Sequence, residues 1–207
     1  MADALLIFKP DAAHRLRVRA ALWAWLEQER EWKLRGLRWF KPPADLIESH
    51  YDFLSGRPFF PWLVDFMTAL PVLVGRLEAS AGSIETMRYE LGETSIQKAR
   101  PGSLRERYGI YGGVNCLHLS DSPQTGTREI RLWSNQVELD GLETKLDRTS
   151  DQPDHTFHLR SLAAQLAGGV HVDLAGQEIQ RLLKEESELE GADFAALARI
   201  ILGAFAA

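Results

Sequence analysis

The sequence predicts an α+β fold, and three observations lead there. Short apolar runs of strand length alternate with longer segments whose apolar residues recur at three- and four-residue steps. Proline and polar turn residues punctuate the joins between them. With 45% apolar and 26% charged residues among 207, the chain carries enough apolar surface to offset the entropy of ordering a core. Its length suits one domain with room for an added substructure.

Residues 4–8 form the first apolar run, stopped at Lys9-Pro10-Asp11, and read as a buried strand. Over residues 15–29, Leu16, Ala20, Trp23 and Leu26 mark one helical face, with Arg17, Arg19, Glu27 and Arg30 on the other side. Residues 32–40 alternate imperfectly, as a half-buried strand would with Gly36 at a bulge. Pro42-Pro43 ends that strand. Asp45 is then expected to cap a helix running through Tyr51 and Phe53, and a second helix begins near Pro61, carrying Trp62, Val64, Phe66 and Met67. Residues 71–77 give the next strand and 82–91 another helix. The segment 92–110, with Pro101, Gly102 and Gly109, has little periodicity and reads as a long irregular loop, a kind of segment that often carries function. A short apolar stretch over 114–118 and a helix over 127–133 complete this part of the chain.

After Trp133 the composition shifts. Residues 141–155, rich in Asp, Thr, Ser and Gln, read as a surface linker. Three helices follow, with Thr156, Asp173 and Asp193 as expected caps and Gly168-Gly169 as a stop. Their stripes, Leu159/Leu162/Leu166, Ile179/Leu182/Leu183 and Leu197/Ile200/Ile201, are expected to pack together as a small bundle, with burial against another subunit as the alternative. The acidic run 184–190 reads as a solvated helix face, and His155, His158 and His171 have no spacing that compels a metal site. The expected division is a domain over 1–136, a linker over 137–155 and a helical extension over 156–207.

Charge and cysteine content narrow the function classes. The 24 Lys plus Arg against 29 Asp plus Glu give a net charge of −5, which argues against broad nucleic-acid coating while leaving room for a local basic pocket. No apolar run approaches the roughly 20 residues needed to span a bilayer, and residues 1–9 are too short and too soon charged for a signal peptide. The single cysteine, Cys116, excludes an intrachain disulfide and a cysteine-clustered zinc site, so a reducing compartment, the cytoplasm, is expected.

Chemistry concentrates in Asn115-Cys116-Leu117-His118-Leu119-Ser120-Asp121-Ser122, followed by Glu129. A neutral imidazole attacks phosphorus through one ring nitrogen when the other is held in the proper tautomer, a role that a carboxylate such as Glu129 fills. Taken alone, the segment also fits a satisfied buried histidine at a strand end.

Further residues stand in a fixed order around this segment: Lys9-Pro10-Asp11, His50-Tyr51, Gly56-Arg57-Pro58-Phe59-Phe60, Phe66-Met67-Thr68, Pro71-Val72, Arg88, Thr94, Pro101-Gly102 and Arg105, with Arg128-Glu129-Ile130-Arg131-Leu132-Trp133 at the end. Nearly without gaps from about Ala4 to Trp133, this set resembles the nucleoside diphosphate kinase family. The resemblance implies a ferredoxin-like βαββαβ antiparallel sheet covered by helices. It implies a phosphotransferase that moves the γ-phosphate of a nucleoside triphosphate to a diphosphate, ping-pong, through a phosphohistidine at His118. Lys9, Tyr51, Arg88, Thr94, Arg105 and Asn115 would surround the phosphates and ribose, with Lys9 also near the transferred group. Phe59 would stack on the base, Glu129 would orient His118, and Ser120 and Asp121 would support the site. Lys9, Arg88 and Arg105 are the cations that phosphoryl transfer asks for. ATP and other nucleoside di- and triphosphates are the implied partners, together with copies of the chain in a homo-oligomer. The implied cofactor is Mg2+, bridging phosphate oxygens mostly through water and so leaving no dedicated motif.

Five positions depart from the family pattern: Leu119 and Leu16 replace glycines, Phe53 replaces an acidic residue after the His-Tyr pair, and Ser95-Ile96 replaces Asn-Pro. They motivate an alternative, a catalytically weakened nucleotide-binding module whose C-terminal helices mediate partner binding or oligomerisation.

Overall fold

Strand β1 (Ala2–Phe8) is apolar on both faces. Ala4, Leu6 and Phe8 join one core cluster and Leu5 and Ile7 the other, as the alternation of side chains along a strand requires. Such a strand belongs in the middle of a sheet. In a computed structural model, which describes residues 1–28, 31–142 and 146–205, β1 lies between β3 (Val72–Ala79) and β4 (Leu117–Leu119), antiparallel to both. β2 (Trp32–Phe40) pairs antiparallel with β3, and its register shifts between Leu34 and Gly36, at the expected bulge. The order is β4-β1-β3-β2, and β5 (Gly141–Leu142) adds a short parallel strand on β2. A Cβ at Gly36 would fall 2.0 Å from the Leu139 carbonyl oxygen, so the bulge is bare where the returning chain crosses it.

One face of the sheet carries α1 (Pro10–Ala13), α2 (Leu16–Leu26) and α5 (Ala81–Leu91). The other carries α3 (Ala44–His50), α4 (Phe60–Thr68) and α7 (Pro123–Trp133). The α+β expectation holds: this is a βαββαβ antiparallel sheet with α3 and α4 inserted between β2 and β3. The segment 92–110, read as an irregular loop, folds into a 3-10 turn at Ile96–Lys98 and α6 (Leu104–Tyr108), whose cap Ser103 accepts from the Glu106 N–H. Elements this short hold too few turns to show a period.

Several boundaries differ from expectation. The helix expected over 15–29 is α2, which starts at Leu16 after its cap Arg15 and ends at Leu26, with the separate turn α1 ahead of it, while Glu29 and Arg30 lie outside the described residues. The helix expected through Tyr51 and Phe53 stops at His50 and passes into a 3-10 turn, Asp52–Leu54. Helix α7 starts four residues early because Pro123 fits a first turn and Ser122 caps it by accepting from Thr125 N–H at 3.2 Å.

The C-terminal helices are α8 (Thr156–Ala167), α9 (Val172–Glu186) and α10 (Gly191–Gly203). Asp45, Asp173 and Asp193 sit in first turns rather than at the caps, where a carboxylate still meets the positive helix end, and Thr156 is the first residue of α8. Their apolar stripes do not form a separate bundle. Leu159, Ile179, Leu183, Leu197 and Ile201 share one cluster with Leu5, Ile7 and Phe66, and α10 lies against α1 and α4. Trp62 on α4 donates its indole N–H to the Ile200 carbonyl at 2.9 Å. Nor is 141–155 a bare surface linker among its described residues, since it contributes β5 and Asp154, which pairs with Arg15 at 3.4 Å; Glu143, Thr144 and Lys145 lie outside the described residues. The acidic run is not wholly solvated either: Glu186 is 1% exposed and ion-paired with the fully buried Arg15. Among the described residues no helix is long and apolar enough to cross a membrane.

Helix α7 touches β1 at Gly126, where a Cβ would fall 1.9 Å from the Asp3 carbonyl oxygen. Gly126→Ala is therefore expected to destabilise the chain by about 1–3 kcal/mol. Gly176→Ala, in α9 with open space around it, is expected to stabilise by roughly 0.5–1 kcal/mol. Thermal unfolding midpoints of the two variants, moving in opposite directions, check the contrast.

Candidate active site

Three residues of edge strand set the orientation of His118. Leu117 and Leu119 bury on the α2/α5 side, so alternation turns His118 to the face of α3 and α7. Leu119 pairs with Leu6 in ordinary extended backbone; among the described non-glycine residues only Cys116 and His171 have positive φ. The departure from glycine at this position thus takes nothing from the backbone geometry. Cys116, at φ 74°, is the strained residue. Its N–H donates to Asp11 Oδ2 at 3.0 Å and its carbonyl accepts from the Lys9 N–H at 2.8 Å, so the turn after β1 clamps it two residues before His118.

Glu129 reaches His118 from α7. Its Oε2 accepts from His118 Nε2 at 2.9 Å and from Ser120 Oγ at 2.5 Å, while Ser120 Oγ accepts from the Leu5 N–H at 2.8 Å. Burial alone would raise the Glu129 pKa, but its interaction with the His118 ring, then with His50 and the Ser120 hydroxyl, outweighs it and holds the carboxyl below its ordinary value. An ionised carboxylate only accepts, so His118 Nε2 carries a hydrogen, and in the neutral tautomer this selects the lone pair lies on Nδ1.

His50 is the residue that sequence reasoning did not place in the site, although His50-Tyr51 was visible as a pair. Its ring stands 4.6 Å from that of His118, edge-on, and its Nδ1 accepts the Trp133 indole N–H at 3.1 Å. Burial first, then the neighbouring His118, lowers its pKa to about 3. His50 is therefore neutral, with its hydrogen on Nε2 at 3.8 Å from Glu129 Oε1. The ligand atoms of His50, His118 and Glu129 lie within 4.8 Å of one another. His118 Nε2 is taken up by Glu129, while the buried His50 Nε2 has no hydrogen-bond partner.

The cations approach from the open edge of β4. Arg105 on α6 donates to the Leu117 carbonyl at 2.7 Å, the Gly92 carbonyl at 2.9 Å and Thr94 Oγ1 at 3.4 Å. Arg88 on α5 donates to the Leu119 carbonyl at 3.1 Å and pairs with Asp121 at 2.6 Å. Lys9 Nζ, 5% exposed, donates to Asn115 Oδ1 at 2.8 Å, and Asn115 Nδ2 donates to the Thr94 carbonyl at 2.7 Å. Burial and the Arg105 charge lower Lys9 to about 8; burial and Arg88 lower Arg105 to about 10. The three cations thus share one field. Tyr51 stands 6.2 Å from the His118 ring with a buried hydroxyl that has no partner, and burial followed by Glu129 pushes its pKa up. Phe59, 37% exposed at the cap of α4, makes no ring contact or hydrogen bond with this group. Exposed Phe53 lies 6.3 Å from the Tyr51 ring.

A nucleophilic nitrogen beside desolvated cations is an arrangement for phosphate. The family model for nucleoside diphosphate kinase matches residues 2–139. The chain belongs to the nucleoside diphosphate kinase family. It is 36% identical over 141 residues to the nucleoside diphosphate kinase of Chloroflexus aurantiacus, covering 68% of this chain and 92% of that protein. It is 37% identical over 147 residues to that of Carboxydothermus hydrogenoformans, covering 71% and 97%. Among solved structures, a halophilic nucleoside diphosphate kinase from Halobacterium salinarum in complex with CDP matches with TM-score 0.59 and 27% identity, over 76% of this chain and 97% of that one. The Aquifex aeolicus nucleoside diphosphate kinase matches with TM-score 0.54 and 31% identity, over 63% and 93%. As a nucleoside diphosphate kinase family member, the protein is a nucleotide-binding phosphotransferase.

The lowered Lys9 value has a measurable sign. Between pH 8 and 10.5 the unfolded chain keeps a proton that folded Lys9 has released, so this group's contribution to stability rises across that window. The difference in unfolding midpoint between the parent and Lys9→Met is expected to move in the parent's favour from pH 7 to pH 10. Nucleotide affinity of the parent, measured at equilibrium, is expected to weaken over the same range as the charge is lost.

Proposed function

We propose that His118 carries the phosphoryl group in a ping-pong exchange between nucleoside triphosphates and diphosphates, ATP among them. The observation that supports this most directly is the 2.9 Å contact of His118 Nε2 with ionised Glu129, which leaves the Nδ1 lone pair free. In the first half-reaction Nδ1 forms a bond to the γ-phosphorus as the bond to the β–γ bridging oxygen breaks, and the diphosphate departs with that oxygen. The positive charge arising on the ring is held by Glu129 through Nε2–H. In the second half-reaction a terminal oxygen of the incoming diphosphate takes the phosphorus and returns the imidazole to its starting state.

Arg88 and Arg105 bind the phosphates that stay on the nucleotide, Lys9 sits as a point charge at the transferred group, and Tyr51 supplies the unpartnered hydroxyl. Thr94 and Asn115 hold this set in register, Ser120 fixes Glu129, and Asp121 fixes Arg88. Phe59, exposed and free of base-specific donors, stacks on purines and pyrimidines alike in this reading. Asp121, exposed beside Arg88, would be the carboxylate nearest to help hold magnesium, and the ion would supply positive charge against the nucleotide phosphates. The intact His118–Glu129 contact and the regular backbone at Leu119 favour catalysis over a weakened binding module. This chemistry belongs to residues 1–136, with 156–207 as an addition. The buried free thiol of Cys116 suits the cytoplasm. Self-association would form with the β2 edge already occupied at Gly36 and Leu37 by β5.

Incubation with magnesium and γ-labelled ATP is expected to give an acid-labile, base-stable phosphoenzyme whose label moves to GTP when GDP is added. His118→Asn should bind nucleotide and take no label. Full turnover in that variant would reject the assignment.

A further inference from the structure

Helix α6, which carries Arg105, has only five residues, too few to be stable as an isolated helix. The carbonyls at its C-terminal end need partners from elsewhere. Those partners are two arginines. Arg160, on α8, donates to the Glu106 carbonyl and, at 2.8 Å, to the Gly109 carbonyl. Arg15 donates to the Tyr108 carbonyl at 3.0 Å. Cations there also meet the negative end of the helix.

Arg15 is wholly buried, and the groups that hold it come from the linker and the C-terminal extension: Glu186 at the end of α9, Thr156 Oγ1 at 2.6 Å and, from the linker, Asp154 at 3.4 Å. Glu186 also accepts from the His155 N–H, tying the start of α8 to the end of α9. All of these residues lie beyond residue 139, where the family match ends. We propose that Arg160 and Glu186 are positioning residues for phosphate binding: from the extension they fix the C-terminal end of α6 and, through it, Arg105. This rests on Arg105 being a phosphate ligand, as read above.

Arg105 holds phosphates that are not transferred, so its misplacement removes binding common to ground and transition state, which appears in KM rather than kcat. In the full-length enzyme, Arg160→Ala is expected to raise the KM for the nucleoside diphosphate about tenfold while kcat stays within about threefold. Arg160→Lys, able to donate to one carbonyl, should fall between it and the parent. Glu186→Gln should shift KM the same way with a larger loss of stability, because Arg15 is left buried without its carboxylate.

Leu197→Ala, in the buried core of α10, controls for stability: it is expected to lower the unfolding midpoint and leave KM unchanged. Amide exchange gives a readout independent of turnover. The Gly109 N–H, bonded to the Arg105 carbonyl, should exchange faster in Arg160→Ala, while β1 amides stay protected. KM and Gly109 exchange unchanged in Arg160→Ala, or an equal KM rise in Leu197→Ala, would overturn the positioning role. Faster Gly109 exchange with KM unaltered would show that α6 is held as described but that Arg105 does not bind phosphate, which overturns the reading beneath it.

Discussion

The hydrogen bond between His118 and Glu129 can form only because α7 lies directly on β1, with no side chain at Gly126 to hold it off. That close approach brings Glu129 beneath the edge strand and lets Ser120 bridge the carboxylate to the Leu5 backbone. Everything on this face follows the same placement. His50 is pressed between Trp133 and Glu129, neutral and fixed in tautomer, and Tyr51 closes the space beside the imidazole. A carboxylate buried in this way is held ionised by its donors, and its charge in turn decides which nitrogen of His118 is free.

The cationic side of the site is built on a different economy. Lys9 and Arg105 are pulled out of water, and with Arg88 beside them their proton affinities fall. Neutral oxygens of β4, Gly92, Thr94 and Asn115 accept from them without cancelling much of their charge, Asp121 on Arg88 being the exception, and Arg105 Nε is left buried without a partner. Such a cluster is unfavourable until an anion enters, which is a reason for it to be braced from outside. The brace includes the strained Cys116 turn on one side and the capped end of α6 on the other.

The C-terminal helices bear on the catalytic half of the chain in two ways. Their apolar residues extend the core on the α4 side, and their polar residues neutralise Arg15, which would otherwise be a bare buried charge. An acidic stretch that looks solvated in the sequence thereby supplies a buried carboxylate to Arg15.

The alternation in β1, the amphipathic helices and the ordered motif residues from Lys9 to Trp133 were enough to read the α+β class, the family resemblance and His118 with Glu129, because each of these is a local pattern or a spacing along the chain. What needed the folded chain were contacts between residues far apart in sequence. Arg15 looks like an ordinary surface arginine until Glu186, 171 positions away, closes on it. His50 gains its neutral state and tautomer from Trp133, 83 positions on, and α6 exists where no periodicity announces it because Arg15 and Arg160 hold its end. Burial and pairing set those properties, and neither is a property of a segment read alone.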